Sequence, residues 1–292
     1  PMAPARRALL AAALLAAAVL LPGAARHGGA AAPPAVLAEA RFAFLVPGPG
    51  GPLILEVAAV APAGAPADAA ALASAIRAAN PGAVPIPPRS VSAAYVLDGV
   101  RWRDPVVPWY YAPAGATPSL PPGDAFERIR RAAETWSGAG GTPVRFDYRG
   151  ETADGPGCRG DPAAITYTAD GRNVLGWDAI PGNYLGYTCW MRSASLVEGT
   201  PYFELIEFDI VLDRRYPYTG DILQALALHE FGHALGLGHS DRCPGAAMCA
   251  GELALIFTEP QPDDLAALIA LYGRRPPPPL PRRALVPAIA RD

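Results

Sequence analysis

His229-Glu230-Phe231-Gly232-His233-Ala234-Leu235-Gly236-Leu237-Gly238-His239-Ser240 is the stretch from which the rest of the chain can be read. On an α-helix, residues four apart share a face, so His229 and His233 aim two imidazoles at one point. Glu230 lies one step round from His229; it misses that point but can reach a water held there. A third imidazole cannot follow on the same straight helix, because the axis carries later residues away. Gly236 resolves this, since glycine tolerates the left-handed backbone that ends a helix and turns the chain. The turn brings His239 back as a third nitrogen. Three His donors with a fourth position open suit a catalytic zinc, whereas a closed structural site would need another protein ligand. Zinc lowers the pKa of its water to about 7. Glu230 would take the proton as that water attacks a peptide carbonyl, then deliver it to the leaving amine.

The pattern is specific. With average usages of a few per cent for each residue, chance occurrence in a chain of this length is on the order of 10⁻⁵. The chain of 292 residues contains only 4 His, and the one outside the motif is His27. Packed or solvated helix histidines would be the bland alternative, but burying several polar rings without partners is costly.

Working outward, Thr219 or Asp221 caps the helix that carries the motif, and Gly236 ends it. A last helix is predicted over Asp263 to Tyr272, with Leu265, Leu268, Ile269 and Tyr272 inward and Gly273 as its stop. Upstream, Phe203 to Leu212 alternates, with Ile206, Phe208, Ile210 and Leu212 on one face, and reads as a strand with one buried side. Val106 to Tyr111, Pro143 to Tyr148, Ile165 to Thr168 and Asn173 to Trp177 are further strand candidates. Asp124 opens a helix with Glu127 as capping-box partner; Phe126, Ile129, Ala133 and Trp136 form its apolar face. Gly150 to Gly160 is a loop.

The amino-terminal part is organised differently. Arg6 and Arg7 precede the apolar run Ala8 to Leu21, and small residues follow at Gly23-Ala24-Ala25, the pattern of an export signal over residues 1–25. The run is short for a membrane span, and no stable insertion is expected once the signal is cut. Residues 26–97 read as a leader plus a small unit, either a propeptide that covers the cleft or a permanent accessory domain. Within it Arg41 to Val46 and Leu53 to Val60 are strand-like, Asp68 to Ala79 is helical, and Pro81 to Pro88 is a linker. The tail 274–292 is Pro-rich and expected to be extended and disordered.

Composition narrows the function classes. The net charge is −3 and the pI about 5.9, which argues against an electrostatic nucleic-acid binder. All 24 cationic residues are Arg, read as a composition bias. Cys158, Cys189, Cys243 and Cys249 lie in the exported part, where an even number suggests disulfides. Of the three pairings, Cys158–Cys189 and Cys243–Cys249 are favoured because each closes a local loop.

The motif H-E-x-x-H-x-x-G-x-x-H is the metzincin signature, and this chain resembles that family. Met248, in Ala246-Ala247-Met248-Cys249, stands where the family has its Met-containing turn. Gly-Leu-Gly-His-Ser ending at Ser240, Gln261-Pro262-Asp263-Asp264-Leu265, and Leu271-Tyr272-Gly273 look like the matrixin branch. Val100-Arg101-Trp102, the helix ending at Trp136, and Val144-Arg145-Phe146 resemble the opening of a matrixin catalytic domain. The resemblance covers about residues 98–273.

It implies an α+β metzincin-like fold: a twisted, mostly parallel sheet with one antiparallel edge strand, and the zinc-ligand helix packed beneath. Substrate would lie extended along that edge strand, and the loop Ala250 to Thr258 would help shape the pocket. There are departures. Residues 26–97 contain no Cys for a latency switch of the vertebrate kind, and no His remains for a second, structural zinc. A Cys243–Cys249 disulfide would pin the Met turn. Calcium would have Asp154, Asp161, Asp170 and Asp178 in loop-like sequence to draw on, although solvated loop acids are the simpler reading. These features look like a bacterial-type minimal matrixin. The expectation is a secreted or cell-envelope zinc endopeptidase, monomeric, acting on proteins or peptides, with Zn²⁺ on His229, His233 and His239 and Glu230 as base. The alternative is a catalytically silent zinc-containing relative that only binds peptides, and the intact Glu230 argues against it.

Overall fold

The computed structural model describes residues 39–48, 51–60, 71, 74, 77, 78, 84–86, 97–158, 160, 161, 164, 165, 169–180, 184–240, 243, 245–250 and 255–276. The expected export signal and most of the tail lie outside the described residues. So does most of the expected helix over 68–79, of which Ala71, Ser74, Arg77 and Ala78 are helical.

Strands β1 (Glu39–Gly48) and β2 (Gly51–Val60) pair antiparallel as a hairpin, and β3 (Val84–Ile86) adds to the outer side of β1. Residues 81–88, expected to be a linker, therefore contain a strand. Pro85 can sit there because β3 is at the sheet edge, where a missing N–H goes unnoticed. Next come β4 (Val100–Arg101), β5 (Val106–Tyr111), α1 (Pro122–Trp136), a 3₁₀ turn (Ala139–Gly141) and β6 (Arg145–Glu151). A small two-stranded ladder, β7 (Gly160–Asp161) with β8 (Ala164–Ile165), precedes β9 (Val174–Asp178), β10 (Gly186–Leu196) and β11 (Phe203–Asp213). Helices α2 (Gly220–Ala234) and α3 (Pro262–Tyr272) complete the order.

The main sheet runs β3-β1-β2-β10-β11-β9-β5-β6, with β4 alongside β11. Strands β11, β9, β5 and β6 are mutually parallel, and β10 is antiparallel to β11. This mixed sheet with its few helices is compatible with the expected α+β architecture. One expectation is corrected: β10 is the antiparallel strand but not an edge. Its far side is taken by β2, in register from Gly186 opposite Val60 to Arg192 opposite Ile54.

Two local readings also change. Helix α1 begins at Pro122 after Pro121, with no side-chain cap, so the Asp124–Glu127 capping box is not formed. Proline's fixed φ suits the first turn and starts the helix earlier; Glu127 instead pairs with Arg130 and Arg131. In β11, Ile206 is exposed while Glu207 and Asp209 are buried, against the expected alternation. The strand is central, so both faces are covered. The carboxylates are tolerated because backbone N–H groups meet them. Gly157 and Val174 donate to Asp209 at 2.8 Å each, and Asp170 and Gly171 donate to Glu207.

Helix α2 is held under the sheet by Phe231, whose ring meets Trp109 of β5 at 5.1 Å and Phe146 of β6 at 4.7 Å. From the other side Trp136 of α1 donates its indole N–H to the Leu228 carbonyl at 2.8 Å. The last carbonyls of α2, which have no partner within the helix, are met by Trp102 Nε1 on Ala234 O (2.8 Å) and Tyr272 OH on Leu235 O (2.9 Å). Thr219 caps its start by accepting from Ile222 N. The motif-bearing helix is thereby fixed at both ends and on both sides.

Candidate metal centre

The backbone does what the spacing requires. Gly236 has φ +90°, and a β-carbon there would collide with the Val100 carbonyl. The chain reverses at this point, and Asp98 N donates to Gly236 O at 3.1 Å. The three Nε2 atoms of His229, His233 and His239 lie 2.9, 3.1 and 2.9 Å apart. His229 and His233 are fully buried and His239 nearly so.

The donor chemistry favours a cation. His229 Nδ1 lies 2.9 Å from the Ala247 carbonyl and His233 Nδ1 lies 2.8 Å from the Leu237 carbonyl. A carbonyl only accepts, so each Nδ1 carries the proton and each Nε2 presents a lone pair inward. Lone pairs facing one another at this range in a buried site repel unless a positive charge stands between them. A triangle with edges of ~3.0 Å has a circumradius of about 1.7 Å, inside the ~2.0–2.1 Å Zn–N bond length, so one zinc can stand at bonding distance from all three nitrogens. The residues present fit the ion.

Glu230 is fully buried, and that burial pushes its carboxyl up to about 8, opposed by a hydrogen bond from Thr188. Thr188 Oγ1 lies 2.6 Å from Glu230 Oε2 and 3.0 Å from the Glu230 carbonyl. Among the described residues Oε1 has no hydrogen-bond partner. On the same face of β10, the Trp190 ring stacks on that of His233 with centroids 6.2 Å apart and planes 16° from parallel.

Met248 is buried where the turn was expected. A β-carbon at Gly232 would collide with its Sδ and come within 3.1 Å of its Cε and of Trp136 Cζ2. Gly232 therefore lets the turn press against α2. Asp264 holds that turn: it accepts from Ala247 N (2.8 Å), Met248 N (3.0 Å) and Gln261 N (2.7 Å). Burial raises the Asp264 pKa, against the pull of those three N–H groups. The favoured disulfides are both present, Cys158–Cys189 and Cys243–Cys249. The second joins Cys249, directly after Met248, to Cys243, and Ser240 N donates to Met248 O at 2.7 Å.

Among the described residues no close group of potential ligand atoms includes Asp154, Asp170 or Asp178. Asp154 pairs with Arg172, Asp170 and Asp178 bond neighbouring backbone N–H groups, and Asp161 sits in β7. Among the described residues the other close group of potential ligands is Cys158, Cys189 and Asp209, and its sulfurs are spent in a disulfide. Residues 251–254 of the expected pocket loop lie outside the described residues.

Sequence reasoning passed over Thr188, Gly186, Trp190 and the work of Asp264. Residues 186–192 are buried on both faces, so no alternation marked β10 as a strand. The regular Gly-x-Thr-x-Trp spacing was the one signal present.

No family model matches the chain. It is similar to matrix metalloproteinase-19 of Homo sapiens, 29% identical over 193 residues, which are 63% of this chain and 32% of that protein. It is similar to the Mus musculus matrix metalloproteinase-19, 47% identical over 62 residues, 20% of this chain and 11% of that one. A probable matrix metalloproteinase 095L of Invertebrate iridescent virus 3 is 31% identical over 125 residues, 40% of this chain and 31% of the viral protein. The chain thus spans about a third or less of the length of these relatives. The similarity supports a matrixin-like relationship and, at the level of the family, a metalloendopeptidase.

Proposed function

We propose that this chain is a secreted zinc-dependent endopeptidase, matrixin-like and of the minimal bacterial type, that hydrolyses peptide bonds in proteins or peptides. The observation that carries the reading is the buried convergence of three histidine nitrogens, two of them oriented by backbone carbonyls, beside a buried carboxylate. His229, His233 and His239 would hold the zinc. When bound, zinc supplies Lewis acidity toward the scissile carbonyl and makes hydroxide available near neutral pH. Glu230 takes the proton of the attacking water on Oε1, the oxygen that no group among the described residues engages, and returns it to the departing amine. Trp190 and the two carbonyl acceptors hold the imidazoles in place. The similarity to matrix metalloproteinases and the two disulfides support an exported peptidase.

In this reading residues 1–25 are the export signal, 26–97 a propeptide, 98–273 the peptidase domain and 274–292 a tail. The pairing of β2 with β10 supports the propeptide role. A substrate strand laid along β10 needs the backbone groups that β2 now occupies.

The test is cleavage of a diverse fluorogenic peptide library by the purified chain, beside Glu230→Ala and a chelated sample. A protease site inserted within residues 87–96 allows the hairpin to be released before a second assay. Cleavage by the wild type alone, increased several-fold after release, is expected. Equal cleavage by all three samples would remove the assignment of the site. Zinc bound with no turnover before or after release would leave a peptide-binding relative.

A further inference from the structure

We propose that Thr188 is a positioning residue for the general base, selecting which oxygen of Glu230 receives the proton. This rests on the peptidase reading, but its structural test does not. The inward face of β10 bears Gly186, Thr188 and Trp190 at alternate positions, and all three meet the motif helix. Trp190 stacks on His233. Thr188 is fully buried, with its hydroxyl 2.6 Å from Oε2. At Gly186 a β-carbon would stand 3.2 Å from Oε1 and 3.3 Å from Leu212 Cδ2. The strand thus clasps one carboxylate oxygen and leaves space at the other.

A threonine hydroxyl has a single proton to give. It faces two acceptors, Oε2 at 2.6 Å and the Glu230 carbonyl at 3.0 Å. The shorter contact, to the acceptor that bears charge when ionised, takes the proton. Oε2 is then committed, its lone pairs partly engaged, and the side chain is held in one rotamer. Oε1 is left free to face the site, with no partner among the described residues and with room beside it at Gly186. Without the hydroxyl, nothing polar from β10 holds the carboxylate, and a buried side chain with free χ angles is aimed less well. Misplacing a catalytic group by an ångström costs up to about 100-fold in rate.

The variants separate shape from chemistry. Thr188→Val keeps the branched shape and removes the hydroxyl; Thr188→Ser does the reverse. With a fluorogenic peptide that the wild type cleaves, Thr188→Val is expected to lower kcat by about 10- to 100-fold with KM and zinc content unchanged. Thr188→Ser is expected to keep kcat within about threefold. Crystal structures of the zinc-free proteins give a second readout. Glu230 should hold one rotamer in the wild type and in Thr188→Ser, and be displaced or spread over several in Thr188→Val. If Thr188→Val does not fold, Thr188→Ala carries the same expectations. An undisturbed Glu230 rotamer in the variant lacking the hydroxyl overturns the proposal. So does an unchanged kcat, or Ser being as impaired as Val. Should the wild type cleave nothing, the peptidase reading falls, and the rotamer comparison still decides the role of Thr188.

Discussion

Gly236→Ala should both destabilise the protein and loosen its metal site, and the size of the effect can be worked from the structure. The residue has φ +90°. A residue with a β-carbon in the left-handed region costs roughly 1–2 kcal/mol. The new methyl would also strike the Val100 carbonyl, so β4 must retreat. That movement breaks the bond from Asp98 N to Gly236 O, worth about 1 kcal/mol. It also partly exposes Val100, now fully buried, where full exposure of such a side chain would cost roughly 1.5–3 kcal/mol. Together these amount to about 4 kcal/mol, a fall in Tm of about 8–16 °C for a domain of this size. His239 follows the turn, so the thermal shift on adding zinc should shrink as well. The assay is thermal unfolding with and without zinc, alongside zinc stoichiometry. Gly123→Ala is the matched control: it lies in α1, where an added β-carbon meets nothing within 4 Å, and alanine should be neutral or slightly stabilising there. A Gly236→Ala protein with Tm within about 2 °C of wild type and full zinc content would refute the account of the turn.

The remaining expectations concern separate parts of the molecule. Glu230→Ala should bind zinc at full stoichiometry and lose turnover by at least about 100-fold; retained activity would mean that another group is the base. His239→Ala should weaken zinc affinity in a competition titration with a chelating dye, and unchanged affinity would take His239 out of the proposed ligand set. Burial, with Glu207 nearby, raises the pKa of Asp209 well above its ordinary value near 3.8, against the two N–H donors. The folded state therefore keeps this proton to higher pH than the unfolded chain, so its contribution to stability declines from about pH 4 upward, until the raised pKa is passed. The Tm of wild type minus that of Asp209→Asn should accordingly fall as pH rises through this window, and a flat difference would refute it. Reduction should lower Tm most through Cys158–Cys189, whose sequence separation of 31 corresponds to about 3–4 kcal/mol of chain entropy. Equal loss from Cys158→Ala/Cys189→Ala and Cys243→Ala/Cys249→Ala pairs would argue against that ordering.

What was legible in the sequence was whatever depends on local geometry. The four-residue spacing of His229 and His233, the glycine that must end the helix, and a cap at Thr219 or Asp221 all follow from helix periodicity and backbone sterics; the structure forms each of them and selects Thr219 as the cap. Strands β5 and β11 were visible because apolar and aromatic residues cluster there. The local disulfide pairing was legible because short loops are favoured to close. Tertiary structure alone decided the rest. Strand β10 carries no alternating signal, because one face meets the motif helix and the other is covered too. Thr188 therefore could not be linked to Glu230, 42 positions away in sequence. Burial of Asp209 and Glu207 depends on N–H donors brought in from distant loops. The occupation of β10 by β2 is likewise a long-range pairing, for which backbone hydrogen bonds leave no residue-specific mark. Local rules placed the three imidazoles on one short stretch; only packing determined what surrounds them, and which oxygen of the neighbouring carboxylate is left open.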